Sequence, residues 1–333
     1  MPRQPVKSLF IVLLLISLVL TGCQRKWDLP ENPPPLPEVY PPPVHPRLVL
    51  VLGGGGARGM SHVGVLEVFE NEGIPIDVII GCSAGSIVGA LYADYPDAKT
   101  IRCLLQPLRK WDILDLNILY ARYGLVRGRS LRNFLRKNLR SRCFHELQIP
   151  LYVVATDLME GDRVVLSQGP IIPAVHASAA IPFIFSPVLM HGRLLVDGGV
   201  ADPIPVTVAR QINADVIVAV DLSELLPKTC PDNLFGIAAR SAEIKCLLQS
   251  YCCVHGADVV IRPELTDVGM FDDKNNYAVY EAGRRAAQEA IPKILEALEK
   301  KQLEACKNIQ QQVSADDKAS APSQEENSLI CAE

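Results

Sequence analysis

The chain has 333 residues, of which 49% are hydrophobic, and its formal net charge is −4 at pH 7. This length is enough for one sizeable α/β domain with extensions, and the charge balance gives no indication of nucleic-acid binding. The two ends of the chain differ sharply in composition from its centre.

An apolar run from Leu9 to Leu20 follows the basic residues Arg3 and Lys7. The run is too short to span a bilayer, which takes about 20 residues, and it has the length and flanks of a signal-peptide core. The sequence that follows, Leu-Thr-Gly-Cys, ends at Cys23 and resembles the lipobox of bacterial lipoproteins, in which the cysteine is acylated. An ordinary secretory signal is the alternative. Polar, proline-rich sequence begins directly after Cys23, which favours the lipobox.

Residues 1–22 are therefore predicted to be a lipoprotein signal peptide, with Cys23 as the lipidated residue that holds the protein to a membrane. Gln24 rather than aspartate follows the cysteine, which in this resemblance implies the outer membrane of a bacterial cell envelope. Residues 24–46 contain nine prolines, a composition that excludes helix and central strand. We expect residues 23–46 to form a stiff, extended tether that holds the domain several tens of ångströms from its anchor.

The centre of the chain alternates between aliphatic strands and helices. Leu48–Leu52 is typical of a buried parallel strand, and a glycine loop leads from it into a helix from about Met60 to Glu72. Further strands are predicted at Val78–Ile80, Leu151–Val154, Arg193–Val196, Val216–Val220 and Val259–Ile261. The alternation predicts a three-layer α/β/α domain over residues 47–300 with a mostly parallel sheet, in which sites lie at the carboxyl ends of strands. A long helix is predicted from about Ala278 to Lys300, followed by a polar, disordered tail over residues 301–333.

The strand Val78–Ile80 runs directly into Gly81-Cys82-Ser83-Ala84-Gly85. A strand that ends in Gly-x-Ser-x-Gly and turns at once into a helix forms a tight elbow, and the elbow exposes its serine at the edge of the sheet. Gly81 and Gly85 are needed beside Ser83 because the turn is strained and crowded. The positive end of the following helix suits a developing oxyanion. A small-residue turn with a surface serine is the alternative.

The loop after the first strand is Gly53-Gly54-Gly55-Gly56-Ala57-Arg58-Gly59, and three interpretations compete. Its glycine spacing matches the dinucleotide-binding fingerprint, but the acidic residue Asp77 comes before the second strand rather than at its end. A flexible tight turn is the second interpretation. The third is an oxyanion hole, favoured because bare backbone N–H groups converge here beside an exposed serine. Its candidate residues are Gly54, Gly55, Gly56, Ala57, Arg58 and Gly59.

A serine nucleophile needs a base, and a carboxylate follows another predicted strand. Asp197 comes directly after Arg193–Val196, and Gly198 and Gly199 give it room in a turn. The alternative is an aspartate that only stabilises its own turn, which is common.

Three motifs therefore occur in order along the chain. They are Gly-Gly-Gly-x-Arg-Gly at 54–59, Gly-x-Ser-x-Gly at 81–85 and Asp-Gly-Gly at 197–199. Together they resemble the patatin-like phospholipase family, and most of all its bacterial branch related to neuropathy target esterase. Ala155–Leu158, Ala177–Pro182 and Glu281–Gly283 support the resemblance, which covers about residues 47 to 295.

The resemblance implies a patatin-like fold and a Ser–Asp dyad that works without histidine, metal or cofactor. Ser83 is then the nucleophile, and Asp197 is the base that takes its proton and returns it to the leaving alcohol. Backbone amides around Gly55 and Gly56 hold the oxyanion, with Arg58 nearby as an electrostatic helper. Water hydrolyses the acyl-enzyme formed on Ser83.

A Ser-Asp-His triad is the competing arrangement. His255 follows Asp197 in the chain order of α/β-hydrolases, but it lies just before a strand instead of after the last one. His176 and His191 flank candidate site segments, and each is also readily explained as a polar or turn residue. The dyad is the favoured arrangement.

Ten cysteines are present, and a cluster of them lies late in the domain near His255. The cluster comprises Cys230, Cys246, Cys252 and Cys253. No Cys-x-x-Cys pair occurs in it and its spacing is irregular, so one disulfide is favoured over a metal site.

The stretch from Arg122 to Arg142 contains eight lysines or arginines and no acid. Apolar residues at Leu131, Phe134, Leu135 and Leu139 give the helix within it an apolar face. An amphipathic helix with a solvated basic face is the favoured interpretation, and docking on anionic lipid headgroups is the functional alternative.

The leading hypothesis is a serine acyl hydrolase of the phospholipase A or lysophospholipase type, with phospholipid or lysophospholipid as its substrate and no nucleic-acid partner. A non-lipid carboxylesterase is the first alternative. A catalytically silent binding module of the envelope is the second.

Overall fold

A computed structural model describes residues 27, 29–36, 38–39, 41–42, 44–116, 123–223, 230–265, 268–269 and 274–320. The predicted signal peptide and Cys23 lie outside the described residues, as do residues 321–333. No helix within the described ranges is both long enough and apolar enough to cross a membrane.

A central sheet organises the domain. Its strands are β1 (Leu48–Leu52), β2 (Val78–Cys82), β3 (Leu151–Asp157), β4 (Arg163–Leu166), β5 (Val188–Met190), β6 (Arg193–Asp197), β7 (Val216–Val220) and β8 (Val259–Ile261). Their order across the sheet is β5-β6-β3-β2-β1-β7-β8, with β4 paired to β3 outside this path. The strands β3, β2, β1, β7 and β8 pair in parallel, whereas β4, β5 and β6 pair antiparallel to their neighbours.

Helices lie on both sides of the sheet. They are α1 (Met60–Asn71), α2 (Ala84–Asp94), α3 (Ala98–Leu105), α4 (Lys110–Ile113), α5 (Arg129–Asn138), α6 (Ile171–Ser178), α7 (Val206–Gln211), α8 (Leu234–Cys253) and α9 (Asn276–Ser320). Alternate residues of β1 point to opposite faces, as a pleated strand requires. Leu48, Leu50 and Leu52 join the larger core cluster with α1, α2 and α9, while Val49 and Val51 join a smaller cluster with α7.

The basic segment contains the helix that its sequence predicts. In α5, Leu131 and Leu135 are fully buried, and Phe134 packs partly buried against the same core. Arg136 and Lys137 lie on the solvent side. The amphipathic helix is thus confirmed, and its docking on anionic headgroups stays a prediction.

The end of the long helix differs from the sequence-based expectation. Helix α9 continues to Ser320, so residues 301–320 are helical instead of forming the disordered tail expected to start after Lys300. This stretch is polar but rich in Ala, Lys and Gln, which are strong helix formers, and it extends a helix already fixed by its packing against α1.

The proline-rich segment also departs from the expected free-standing tether. Leu36 packs against the main core, and a Cβ added to Gly192 would lie 3.1 Å from the Pro34 ring. Gln168 Nε2 donates to the Glu38 carbonyl at 3.1 Å. The described residues of this segment therefore run along the domain surface, because Leu36 removes apolar surface from water there.

Candidate active site

Ser83 lies in a sharp turn between β2 and α2. Its backbone has φ 51° and ψ −121°, a conformation that L-residues rarely adopt and that a tight elbow imposes. The side chain is only 5% exposed, and α2 begins at the next residue with its N-terminus directed at the serine.

The Asp197 carboxylate lies directly against the Ser83 hydroxyl. Ser83 Oγ donates a hydrogen bond to Asp197 Oδ2 at 2.6 Å, and the Gly199 N–H donates to Oδ1 at 2.8 Å. Strand register explains the meeting: Cys82 at the end of β2 pairs with Val154, and the next residue of β3, Ala155, pairs with Asp197. The register thereby brings Ser83 and Asp197, which are 114 positions apart in sequence, next to each other.

The environment of Asp197 favours its protonated form more than water does. Burial raises the pKa of this carboxyl from 3.8 to about 6, and the hydrogen bonds from Ser83 and Gly199 oppose the rise. A carboxylate with a pKa near neutrality and a short hydrogen bond to a hydroxyl can accept that proton. The arrangement therefore has the geometry of a nucleophile and its base.

The motif glycines are required by close backbone contacts. A Cβ on Gly85 would lie 2.1 Å from the Leu52 carbonyl oxygen, and one on Gly81 would lie 2.6 Å from Ser86 Cα. A Cβ on Gly198 would lie 2.2 Å from the Val154 carbonyl oxygen. Contacts this short admit no side chain, so both turns are built for glycine.

The glycine loop has two unoccupied amides in the cavity that it shares with the serine. Among the described residues, the N–H groups of Gly55 and Gly56 have no hydrogen-bond acceptor, and both glycines line a cavity together with Ser83. These amides fit the predicted oxyanion hole. Ala57 follows in the same turn and borders a second cavity beside Ser83.

Three other residues of the predicted oxyanion hole have different roles. The Gly54 N–H donates to the Pro203 carbonyl at 3.0 Å, so this amide is already occupied. Arg58 is buried, and its Nε donates to the Val268 carbonyl at 2.8 Å, so it holds a neighbouring loop, while its role as an electrostatic helper stays a prediction. Gly59 allows close packing, because a Cβ there would lie 2.9 Å from Ala84 Cβ.

Asp77 and His255 lie at the amino edge of the sheet. The dinucleotide-binding and histidine-triad alternatives would need them at the carboxyl edge. Asp77 accepts hydrogen bonds from the backbone N–H groups of Arg47 and Leu48 at 2.9 and 2.8 Å, at the amino end of β1. His255 precedes β8 and is exposed at the amino end of that parallel strand. Both therefore lie opposite the carboxyl edge that carries Ser83.

The remaining histidines do not contact the Ser83–Asp197 pair. His176 is buried, and its Nδ1 accepts from Arg132 Nη1 at 3.1 Å. Burial and the Arg132 charge lower the pKa of His176 to about 4, so it is neutral at physiological pH. His191 occupies a turn between β5 and β6 with a left-handed backbone, φ 51°.

The expected disulfide in the late cysteine cluster is wrong. Cys230, Cys246, Cys252 and Cys253 are all free thiols. Helix α8 separates the last three: Cys246 contacts the Gly199 carbonyl at 3.8 Å, Cys252 is exposed, and Cys253 lies beside Asp202. Within the described ranges, no group of three or more His, Cys, Asp or Glu side chains is placed to hold a metal ion.

Residues that the sequence did not single out support the pair. Ser178 Oγ accepts from the Ser83 N–H at 2.9 Å and donates to the Val154 carbonyl at 2.6 Å. Thr156 Oγ1 donates to the Asp197 carbonyl at 2.9 Å. The Nε2 of fully buried His62 bonds to the Gly53 carbonyl at 2.8 Å, and burial lowers the pKa of its ring to about 4. Ser178 and Thr156 belong to stretches that carried the resemblance, whereas His62 had no detectable signal.

Ser83 forms part of the wall of two cavities. The first has about 950 Å³ of empty space including its open mouth, and apolar side chains such as Ile87, Leu108 and Leu131 line most of it. The second has about 1250 Å³ on the same basis and contains Asp197 and one face of α8. The serine thus lies between a largely apolar chamber and the chamber that holds its carboxylate partner.

The family comparison covers the elements that build this site. Residues 50–210, from β1 into α7, match the model of the patatin-like phospholipase family. This stretch is similar to patatin-like phospholipases. It contains all three motifs, and the predicted α/β/α fold with a mostly parallel sheet is confirmed.

The patatin-like domain has relatives in bacteria and fungi. The chain is 36% identical over 186 residues to an NTE family protein of Mycobacterium tuberculosis, covering 54% of this chain and 49% of that protein. It is 31% identical over 198 residues to a lysophospholipase of Pyricularia oryzae, covering 57% of this chain and 13% of the fungal protein. The chain thus spans about half of the bacterial relative and a small part of the fungal one.

A solved structure shows the same fold. The crystal structure of VipD from Legionella pneumophila superposes with a TM-score of 0.53 at 15% identity, covering 76% of this chain and 67% of VipD. The shared feature is the patatin-like architecture.

Proposed function

We propose that this protein is a serine acyl hydrolase that cleaves the carboxyl esters of phospholipids or lysophospholipids. The observation that carries the proposal is the 2.6 Å hydrogen bond from Ser83 Oγ to Asp197 Oδ2 beside an apolar cavity. The match of residues 50–210 to the model of the patatin-like phospholipase family supports it.

The proposed acylation begins with attack of Ser83 Oγ on the ester carbonyl carbon. Asp197 Oδ2 takes the hydroxyl proton as the new bond forms, and the N–H groups of Gly55 and Gly56 stabilise the oxyanion of the tetrahedral intermediate. Asp197 then returns the proton to the departing alcohol. The products of this step are the free alcohol and an acyl ester on Ser83.

Deacylation uses the same groups in reverse. Asp197 removes a proton from a water molecule, the resulting nucleophile attacks the acyl carbonyl, and Ser83 Oγ leaves and recovers its proton from Asp197. Throughout, Gly199 holds the second carboxylate oxygen at 2.8 Å, so the carboxylate keeps its orientation.

The apolar cavity supports a lipid acyl chain as the group bound beside Ser83. Leu105, Leu108 and Leu131 from three different segments line it, and its mouth carries Arg109 and Lys110. A hydrocarbon chain gains free energy by leaving water for such walls, at about 0.8 kcal/mol per methylene. The cationic mouth suits a phosphate headgroup.

The substrate class is tested by comparing esters on purified protein. We expect long-chain lysophospholipid and phospholipid to be hydrolysed at least about tenfold more efficiently, as kcat/KM, than a short soluble ester with the same leaving group. Preference for the short ester would support the non-lipid carboxylesterase. Absence of hydrolysis of either substrate by folded protein would support the silent binding module.

We further propose a lipid anchor at Cys23 that holds the protein in a bacterial cell envelope, with the outer membrane favoured by Gln24. Cys23→Ser is expected to move the protein from the membrane fraction to the soluble fraction, because the acyl chains supply the membrane affinity. Cys103→Ser, which removes an exposed thiol, is the matched control and should leave the distribution unchanged. A Cys23→Ser protein that remains fully membrane-bound would contradict the anchor.

A further inference from the structure

Helix α8 forms one wall of the chamber that contains Asp197. Ala242, Cys246 and Leu247 face this chamber, which they share with Ser83. The same side of the helix holds the turn after Asp197: Cys246 Sγ contacts the Gly199 carbonyl at 3.8 Å, and Lys245 Nζ donates to the Val200 carbonyl. The inner face of α8 is therefore part of the site.

The opposite face of α8 is exposed, and apart from Ser241 its exposed side chains are mostly apolar. The exposed fractions are 54% for Ile237, 39% for Ile244, 64% for Leu248 and 57% for Tyr251. Their spacing of seven, four and three positions places all four on one helical face. Apolar side chains on a helix normally pack against another surface, yet the described residues leave this outer face uncovered.

The distribution of charge on α8 favours a lipid surface as the partner of its outer face. The single acidic residue of the helix, Glu243, lies on the inner side, where it borders the chamber and pairs with Arg240 at 3.3 Å. The outer face consequently carries no carboxylate that would have to be desolvated or repelled by anionic headgroups.

Phe183 extends the exposed apolar surface at the mouth of the chamber. It lines the same chamber, its side chain is 83% exposed, and its backbone is left-handed with φ 68°. For a bulky residue this backbone is a strained conformation. The fold thus holds an aromatic ring out in solvent at the entrance, against both its backbone preference and its hydrophobicity.

The segment that leads from Cys23 reaches the domain next to this entrance. The Trp27 ring lies 5.3 Å from the Tyr123 ring, and the strand-like stretch after Tyr123 bonds to the residues after Phe183, with Val126 N–H donating to the Ile184 carbonyl at 2.8 Å. An anchor at Cys23 would therefore hold this side of the domain against the bilayer.

We propose that the outer face of α8, together with Phe183, is a docking surface for the lipid bilayer that delivers substrate to the chamber of Ser83. The choice of a lipid bilayer as the partner of this surface rests on the proposed lipid hydrolase function. Because the inner face of the same helix contacts the turn after Asp197, docking places the bilayer about one helix diameter from the site, next to the entrance at Phe183.

The test measures flotation of the full chain with vesicles of phosphatidylethanolamine and phosphatidylglycerol. Ser83→Ala/Cys23→Ser protein is used, which keeps the vesicles intact and removes the anchor. Adding Leu248→Ser and Tyr251→Ser is expected to lower the vesicle partition coefficient about tenfold, since both side chains lose their transfer into the apolar interface. The matched control adds Leu295→Ser and Leu303→Ser, two exposed leucines of α9, and should leave partitioning unchanged.

Hydrolysis measurements separate this inference from the proposed function. The Leu248→Ser and Tyr251→Ser pair, called the α8 variant, is also made in protein that keeps Ser83. Its activity on the same vesicles should fall about tenfold, and its activity on a short soluble ester should be unchanged. Equal vesicle binding by the α8 variant and the α9 control would overturn the inference and leave the function standing. Failure to hydrolyse any ester would reject the function, while flotation would still decide the docking surface.

Two further readouts complete the test. A wild-type dimer that becomes monomeric in the α8 variant would assign the face to a second copy of this chain and overturn the inference. If circular dichroism shows that the double variant does not fold, Ile237→Ser on the same face is used in its place. It is also expected to lower the vesicle partition coefficient.

Discussion

Ser83→Ala is expected to reduce ester hydrolysis by about 10⁴-fold or more, close to the limit of detection. Alanine removes the oxygen that attacks the substrate and donates to Asp197 at 2.6 Å, and it leaves the small elbow sterically unchanged. The measurement is kcat/KM on a lysophospholipid, together with covalent labelling by a fluorophosphonate probe, which should disappear completely.

Ser241→Ala provides the control for this substitution. Ser241 is an exposed serine of α8 whose hydroxyl donates to the Ile237 carbonyl at 2.9 Å, away from the Ser83–Asp197 pair. It should keep full labelling and activity. Retention of labelling in folded Ser83→Ala protein would show that another residue is the nucleophile.

Asp197→Asn is expected to lower kcat by about 10³-fold to 10⁴-fold with little change in KM. The amide is nearly isosteric and its oxygen can still accept from the Gly199 N–H, but it cannot take the proton of Ser83. Asp157→Asn is the matched control, because Asp157 is a buried carboxylate at the end of β3 that pairs with Arg193 at 2.8 Å. That substitution should cost stability while leaving kcat within about twofold.

The raised pKa of Asp197 adds a second readout for the same variant. The wild-type enzyme needs the carboxylate form, so its kcat/KM should rise with pH through about 6 and level off above it. The folded protein holds this proton more tightly than the unfolded chain, whose usual pKa is 3.8. The associated stability is therefore present in full below pH 4 and is lost as the pH rises through about 6.

Asparagine mimics the protonated carboxyl at every pH. Asp197→Asn should accordingly raise the free energy of unfolding above pH 6 by about 3 kcal/mol, measured by urea denaturation, and change it little near pH 4. An inactive variant that is also destabilised at pH 8 would contradict this account of the site. So would a wild-type activity that is constant from pH 4 to pH 8.

The parts of the fold that the sequence predicted are those with continuous aliphatic runs. The bounds of β1, β7 and β8 agree with the predicted segments, because strands buried on both faces leave an unmistakable run of Val, Ile and Leu. The strands β4 and β5 were missed, since they are short, only partly buried and lie outside the parallel core. The antiparallel direction of β6 depends on its pairing with β3, which no local pattern encodes.

The site was predicted where motif and strand end coincide. Ser83 and Asp197 each follow a recognisable strand, and in a parallel sheet the carboxyl ends of strands share one edge. Because β6 runs antiparallel, the two residues meet for a different reason, which is the register that places Asp197 beside Ala155 of β3. The amide of Gly54 was misassigned, because it donates to the Pro203 carbonyl, which is remote in sequence, and the bond from Arg58 to Val268 was unpredictable for the same reason. The predicted disulfide was wrong for a similar reason, since helix α8, which no local sequence pattern predicted, fixes the directions of three of the four thiols.

The hydrogen bond from the Gly54 N–H to the Pro203 carbonyl has a consequence for how the site responds to heat and denaturant. It fastens the glycine loop to the chain that leaves Asp197, and the Gly53 N–H fastens the same loop to β7 through Val220 at 3.1 Å. The amides of Gly55 and Gly56 and the carboxylate of Asp197 thus belong to one cooperative unit with the centre of the sheet. Local opening of the site is then as costly as opening that part of the sheet, so activity should persist until the domain itself unfolds.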